Sequence, residues 1–241
     1  WEVISTGPGG TVVEFNITQS WRRSFSYPSG FGAVPGPATA INQLKRTGTF
    51  DFGDGANTPM LITVNSINNA EDWFVGNATI THTYQGSLDR IARFNSCCRI
   101  AGLGVNSDDP YDMRTVVTLS DPTNNSPVAN TPPIFYVPIN QVSNIQIAAF
   151  DPDSDPLSFS FASSSESGLT QPIPTTPNGP ATLSPSGLIS INTNGLPVGR
   201  KFATQVKVSD SRGATIPLDF VIQTVGVSTP PVFAYPPTPA N

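Results

Sequence analysis

Three aspartates stand at two-residue intervals in the segment FDPDSDP: Asp151, Asp153 and Asp155. Prolines favour a turn here, and a turn with carboxylates at alternate positions can converge hard oxygens on one point. Ca²⁺, which takes roughly six to eight oxygen ligands, is the cation such a pattern suits. The alternative is a pair of Asp-Pro turns with solvated carboxylates. A second acidic pair, Asp51 and Asp54, lies in TFDFGDG, residues 49–55. Two carboxylates can be the acid and base of a glycosidase, but turn carboxylates this close in sequence are seldom held across a scissile bond. His82 is the single histidine, so a Ser-His-Asp or Cys-His site would have to use it. No G-x-S-x-G, H-E-x-x-H or phosphate-cradling glycine loop is present. The two cysteines, Cys97 and Cys98, are adjacent. On a strand their side chains point to opposite faces. Free thiols, a vicinal disulfide and bonds to another chain all fit; zinc does not, because two thiols and one histidine leave a tetrahedral site incomplete. These residues predict a protein that is not an enzyme.

The elements that carry these residues are short. Twenty-five prolines and 20 glycines punctuate runs rich in Val, Ile, Thr and Phe, among them Thr11–Thr18, Met60–Val64, Ala78–Tyr84, Thr115–Leu119, Asn144–Phe150, Leu157–Phe161, Ala203–Val208 and Leu218–Val225. Each run has strand length and turn signals at its ends, and no window holds a sustained 3.6-residue apolar stripe. The expected fold is all-β, two tandem antiparallel β-sandwich domains with a Pro-rich C-terminal tail. The polar segment DPTNNSPVA, residues 121–129, divides them: residues 1–125 form the first domain, 126–227 the second and 228–241 the tail. The segment NTPPIFYVP (130–138) is echoed 98 residues later by STPPVFAYP (228–236), one sandwich domain further on. The tail therefore reads either as a linker to more polypeptide or as a strand without its own domain. In the second reading Val232, Phe233 and Tyr235 pack against another copy of the chain, with residues 1–11 as the alternative donor.

Charged residues make up only 12% of the 241, with a net charge of −5. That balance argues against nucleic acid, which needs a basic stripe, and against an anionic membrane surface. No apolar run approaches the roughly 18–20 residues of a membrane span. The chain opens on Trp1 rather than Met, which suggests a mature product or a fragment. N-x-[ST] sequons stand at Asn16, Asn77 and Asn124. All three are expected on the surface, with glycan on at least one if the source is eukaryotic.

Two resemblances follow from these motifs. TFDFGDG with the later THTYQG (81–86) resembles the polycystic-kidney-disease-type (PKD) domain, an immunoglobulin-like sandwich of extracellular proteins. The likeness implies a structural role for His82 and a PKD-like first domain, which the extra N-terminal residues could enlarge to a jelly-roll-like one. TPPIF (131–135), FDPDSDPLSFS (150–160), SGLISINTNGLPVG (186–199) and VKVSDSRGAT (206–215) together resemble a cadherin-like, Ig-like repeat of the dystroglycan type. That resemblance implies Ca²⁺ on Asp151, Asp153 and Asp155, with Asp210 closing the site.

The expected function is a structural subunit of an extracellular filament, sheath or adhesive surface, self-associating head to tail. The alternative is a carbohydrate- or protein-binding or spacer module of a larger exported protein, with Trp21, Trp73 and Tyr111 either contacting sugar or buried in the cores.

Overall fold

The computed structural model describes residues 1–24, 37–100 and 102–227. The first seven strands are β1 (Glu2–Gly7), β2 (Gly10–Arg22), β3 (Leu44–Asp51), β4 (Asn57–Asn68), β5 (Trp73–Tyr84), β6 (Arg90–Ser96) and β7 (Tyr111–Val117). They make one antiparallel sheet in the order β1-β2-β5-β4-β3-β6-β7. Alternation decides which face is buried. In β2, Val13, Phe15 and Trp21 are buried while Asn16 and Thr18 are exposed. The sheet folds over so that its apolar face closes on itself. Phe15 of β2 meets Phe50 of β3 at 5.0 Å between ring centroids, and Trp21 meets Tyr111 of β7 at 5.2 Å, although two and four strands, respectively, intervene in the sheet. The Trp1 indole donates to the Val116 carbonyl at 3.0 Å, which joins the region of one sheet edge to the other.

The second unit comprises β8 (Val128–Ala129), β9 (Ile134–Pro138), β10 (Val142–Gln146), β11 (Ala149–Phe150), β12 (Ser158–Phe161), the one-turn helix α1 (Ser164–Ser167), β13 (Thr175–Thr176), β14 (Gly179–Pro180), β15 (Thr182–Leu183), β16 (Leu188–Asn192), β17 (Lys201–Ser209) and β18 (Thr215–Val225). A four-stranded sheet, β12-β17-β18-β9, lies over a three-stranded one, β10-β16-β15. Their shared core holds Phe202, Val206, Phe220 and Ile222 from the first and Ile145, Ile189 and Ile191 from the second. β9 runs parallel to β18 and is the first copy of the repeated Pro-rich segment. The fold class is all-β and sandwich-type. Among the described residues no helix is long and apolar enough to cross a membrane.

The two units are in extensive contact. Residues 97–100 and 102–110, between β6 and β7, reach across to the second unit. Arg99 is 1% exposed in its side chain and pairs at 2.5 Å with Asp219 of β18, itself 8% exposed. The same guanidinium donates to the Ser167 carbonyl at 3.0 Å and to the Pro110 carbonyl, and lies 4.5 Å over the Tyr111 ring. Gln205 of β17 donates both to the Asp112 carbonyl and to Asp219, at 3.0 and 3.2 Å. Asn106 exchanges two hydrogen bonds with the Gln171 backbone, at 2.8 and 2.7 Å. Leu103 packs with Leu169 and Ala203 in a small apolar cluster. Cys97 and Cys98 open this connection just past the end of β6, bonded to each other. They are not on a strand, so the opposite-faces argument does not govern them.

Asp219→Ala leaves the Arg99 guanidinium buried with no counter-charge. The expected cost is about 3–5 kcal/mol of stability, read from denaturant unfolding. Arg22→Ala is the control: it removes an exposed pair with Asp72, so its expected cost is under about 1 kcal/mol.

Candidate functional site

The FDFGDG and THTY motifs meet in a clasp. Phe50 and Phe52 point into the core, each 4% exposed, while Asp51 is exposed between them. Gly53 takes φ +82°, and a Cβ there would sit 2.3 Å from the Ile91 carbonyl oxygen, so this turn requires glycine. The Asp51 carboxylate accepts the Gly53 N–H at 2.7 Å, and Asp54 accepts the Ala56 N–H at 3.0 Å. The other Asp54 oxygen meets His82 Nε2 at 2.7 Å. The His82 ring stacks on Phe52 at 4.0 Å and meets the Tyr84 ring edge-on at 4.6 Å; the Tyr84 hydroxyl donates to the Phe52 carbonyl at 2.9 Å. Both carboxylates are thus engaged in holding their own turn, and His82 is the post against which that turn rests. Burial works against the charged Asp54 carboxylate, but its bonds from His82 and Ala56 and the His82 charge together hold it below the usual carboxylate range.

The junction carries the second constellation. The carboxylates of Asp151, Asp153 and Asp155 bring one oxygen each to within 4.8 Å of one another. Asp151 shapes the turn: one of its oxygens accepts the N–H groups of Asp153 and Asp155 at 2.9 and 3.2 Å. Its other oxygen is buried without a hydrogen-bond partner. Asp153 is held by Asn125, whose backbone N–H and side-chain amide donate to it at 2.7 and 3.0 Å. Asn124 beside it is fully buried, and its amide nitrogen donates to Asp210 and to Thr118, each at 3.1 Å. The Asn124 amide oxygen is the second buried oxygen here without a partner. Burial pushes the Asp151 carboxyl above its ordinary range; the two backbone N–H bonds oppose this, and the charges of Asp210 and Asp153 add to it. Two orphaned buried oxygens amid acids are donor chemistry that fits a hard cation.

Asp210 stands outside the close trio. It accepts the Arg212 and Ala214 N–H groups at 2.8 and 3.0 Å and the Asn124 amide, so its evident work is to seat Asn124. Arg212 ties the connecting segment to the acidic turn: it donates to Asp121 at 2.5 Å and Thr123 at 2.6 Å and lies 3.5 Å from Asp155. That Asn124, Asn125, Asp121 and Arg212 belong beside the acidic turn was invisible in the sequence, where Asn124 stood only as a sequon, because only the fold brings residues 121–125 against 151–155 and 210–214.

Asn16 and Asn77 are exposed on β2 and β5. Asn124 corrects the expectation of three surface sequons, for its side chain is consumed by the junction. Two of the three aromatic candidates for sugar contact also move inside. Trp21 belongs to the first core, and Tyr111 packs against that core under the Arg99 guanidinium. Trp73 is half-buried and donates to Glu71 at 2.8 Å. Val232, Phe233 and Tyr235 lie outside the described residues.

The clasp sets an acid dependence. A carboxylate held below its ordinary value of 3.8 contributes stability that is complete above that value and is lost as pH falls through the folded one. Unfolding free energy measured between pH 5 and pH 2 should therefore fall less steeply in Asp54→Asn than in the parent; equal slopes would mean that the clasp adds nothing.

Residues 1–120 match the family model described as integrin beta-like protein A-E, N-terminal. Integrin beta-like protein E of Dictyostelium discoideum is 31% identical over 232 residues, which span 89% of this chain and 11% of that protein. Protein C of the same group is 30% identical over 236 residues, again 89% of this chain and 11% of the relative. Protein A is 26% identical over 274 residues, 93% of this chain and 14% of the relative. Among solved structures, an endo-fucoidan hydrolase of glycoside hydrolase family 107 aligns with 95% of this chain and 44% of its own at 11% identity and a TM-score of 0.29, too distant a likeness to bear on fold or chemistry. The first 120 residues thus match the N-terminal domain of the integrin beta-like proteins A to E, and the likeness to the Dictyostelium proteins of that name runs on through the second unit.

Proposed function

We propose that the chain is an adhesion-related module of an extracellular or cell-surface protein, a rigid two-domain unit whose junction is completed by Ca²⁺. The observation that carries this reading is the pair of orphaned buried oxygens, on Asp151 and Asn124, beside the acidic turn and the connecting segment. A cation there would take oxygens from Asp151, Asp153, Asp155 and Asn124, with Asp210 behind Asn124. It would offset the burial that disfavours the charged Asp151 carboxylate, and the lesser repulsion from Asp210 and Asp153, and would stiffen the angle between the two units. Integrin beta-like relatives of far greater length support the adhesive setting. The PKD-type and cadherin-like resemblances support the same extracellular setting.

Two experiments test the two parts of the reading. A ligand that binds only the folded state stabilises it by about 2.7 kcal/mol at a hundredfold excess over Kd. The thermal midpoint should accordingly rise with Ca²⁺, fall on chelation and become indifferent to both in Asp153→Ala. Asp151→Asn should lose the response to Ca²⁺ yet gain stability in its absence, since it removes a carboxylate that burial disfavours. No shift with Ca²⁺ in the parent chain would leave plain Asp-Pro turns. Assembly into a filament or sheath is the finer part of the proposal and rests on the repeated Pro-rich segment. Removing residues 228–241 should leave both units folded and abolish self-association in sedimentation. Undiminished association of the shortened chain would rule out the tail as the donor.

A further inference from the structure

The two exposed sequons lie opposite each other on neighbouring strands. Asn16-Ile17-Thr18 lies on β2 and Asn77-Ala78-Thr79 on β5, and these strands pair antiparallel. The register sets Asn16 opposite Thr79 and Thr18 opposite Asn77, so each asparagine faces the threonine of the other sequon. Their side chains stand on the outward face, with the intervening Ile17 and Ala78 turned toward the core. The Asn16 amide oxygen accepts the Thr79 hydroxyl at 2.8 Å, and its nitrogen donates to Glu14 at 3.1 Å. Around them the face carries Glu14, Thr81 and Thr63. Diagonal neighbours on such a pair are about 7–8 Å apart, close enough for two attached chains to stand side by side and share the same patch.

We infer that Asn16 and Asn77 form a paired N-glycan site that sheathes the outward face of β2 and β5, and that Asn124 is left bare despite its sequon. The transfer replaces one amide N–H by a bond from Nδ2 to C1 of the sugar. The C1–oxygen bond to a polyprenyl diphosphate donor breaks, the diphosphate leaves with the electron pair, and the amide proton passes to the transferase base. A glycosylated asparagine keeps its carbonyl oxygen and one N–H. Asn16 can therefore carry sugar and still accept from Thr79 and donate to Glu14. Transfer needs the threonine hydroxyl of each sequon in an extended, unpaired chain; the Thr79 hydroxyl turns to Asn16 only once β2 and β5 have zipped. The folded junction has no room for sugar on Asn124. Its amide nitrogen donates to both Thr118 and Asp210 in a fully buried position, so a sugar there would cost a hydrogen bond and force a bulky polar group into the junction. The inference leaves the Ca²⁺ reading untouched and adds a surface consequence: adhesive contacts must use some other face than the one these two glycans cover.

The test is site-resolved mass spectrometry of the full chain, secreted from a eukaryotic host behind a supplied signal sequence, so that native location does not decide the result. Peptides containing Asn16 and Asn77 should both carry glycan and the Asn124 peptide none. Asn16→Gln and Asn77→Gln should each lower the intact mass by one glycan, the double variant should run at polypeptide mass, and Asn124→Gln should shift no glycan mass. Glycan on Asn124 in folded, secreted material, or a bare Asn16 or Asn77 in a host that glycosylates a co-expressed control, would overturn the assignment.

Discussion

Taking a guanidinium and a carboxylate out of water costs several kcal/mol per ion, and the loss is recovered only where geometry and further hydrogen bonds are good. At the junction of the two units Arg99 and Asp219 are given that support by Ser167, Pro110, Gln205 and the Tyr111 ring, with the Arg99 Nε left without a partner. Neither ion could be buried if the units parted, because each comes from a different one. The contact therefore fixes how the sheet edge at β7 lies against β18, and other features of the junction follow from that placement. Asn124 is buried between Thr118, just past β7, and Asp210 of the 210–214 turn. Asn125 can hold Asp153 only because the connecting segment has a fixed path. The acidic turn is shaped by its own Asp151, but its neighbours Asn124 and Asn125 reach it through contacts made outside it.

That dependence explains what could be read in the chain. Runs rich in Val, Ile, Thr and Phe between turn signals marked β2, β4, β5, β12, β17 and β18 among others, because strand preference and the burial of one sheet face are local; β1, β3, β6 and β16 were not among those runs. The FDFGDG and THTY motifs pointed to a turn and a structural histidine, and the clasp between Asp54 and His82 is what those residues build. The D-x-D-x-D spacing pointed to the acidic trio, because alternate positions of one turn converge whatever lies around them. Other residues were illegible for a single reason: their partners are distant in sequence. Arg99 stands 120 residues from Asp219, in a connection with no periodic signal. Asn124 carries a sequon that a surface loop would display, and nothing local reveals that Asp210, 86 residues on, claims its amide. Trp21 and Tyr111 have the composition of a sugar platform and the placement of a core.

Polarity on the surface follows a similar division of labour. With few charges, the outward face of β2 and β5 relies on Asn and Thr for its contact with water, and the same residues make the paired sequons. Some of the charges meet where the units join: Arg99 with Asp219, and Arg212 with Asp121, Asp153 and Asp155.

If the buried pair and the junction around it bind the two units into one body, they must unfold together despite having separate cores. Differential scanning calorimetry of the intact chain in Ca²⁺ tests this directly. The account predicts a single transition whose calorimetric and van't Hoff enthalpies agree, splitting into two when Asp219 is replaced by alanine. Two resolved transitions in the parent chain would contradict it, for they would mean that each sandwich stands alone and that the junction is a contact rather than a constraint.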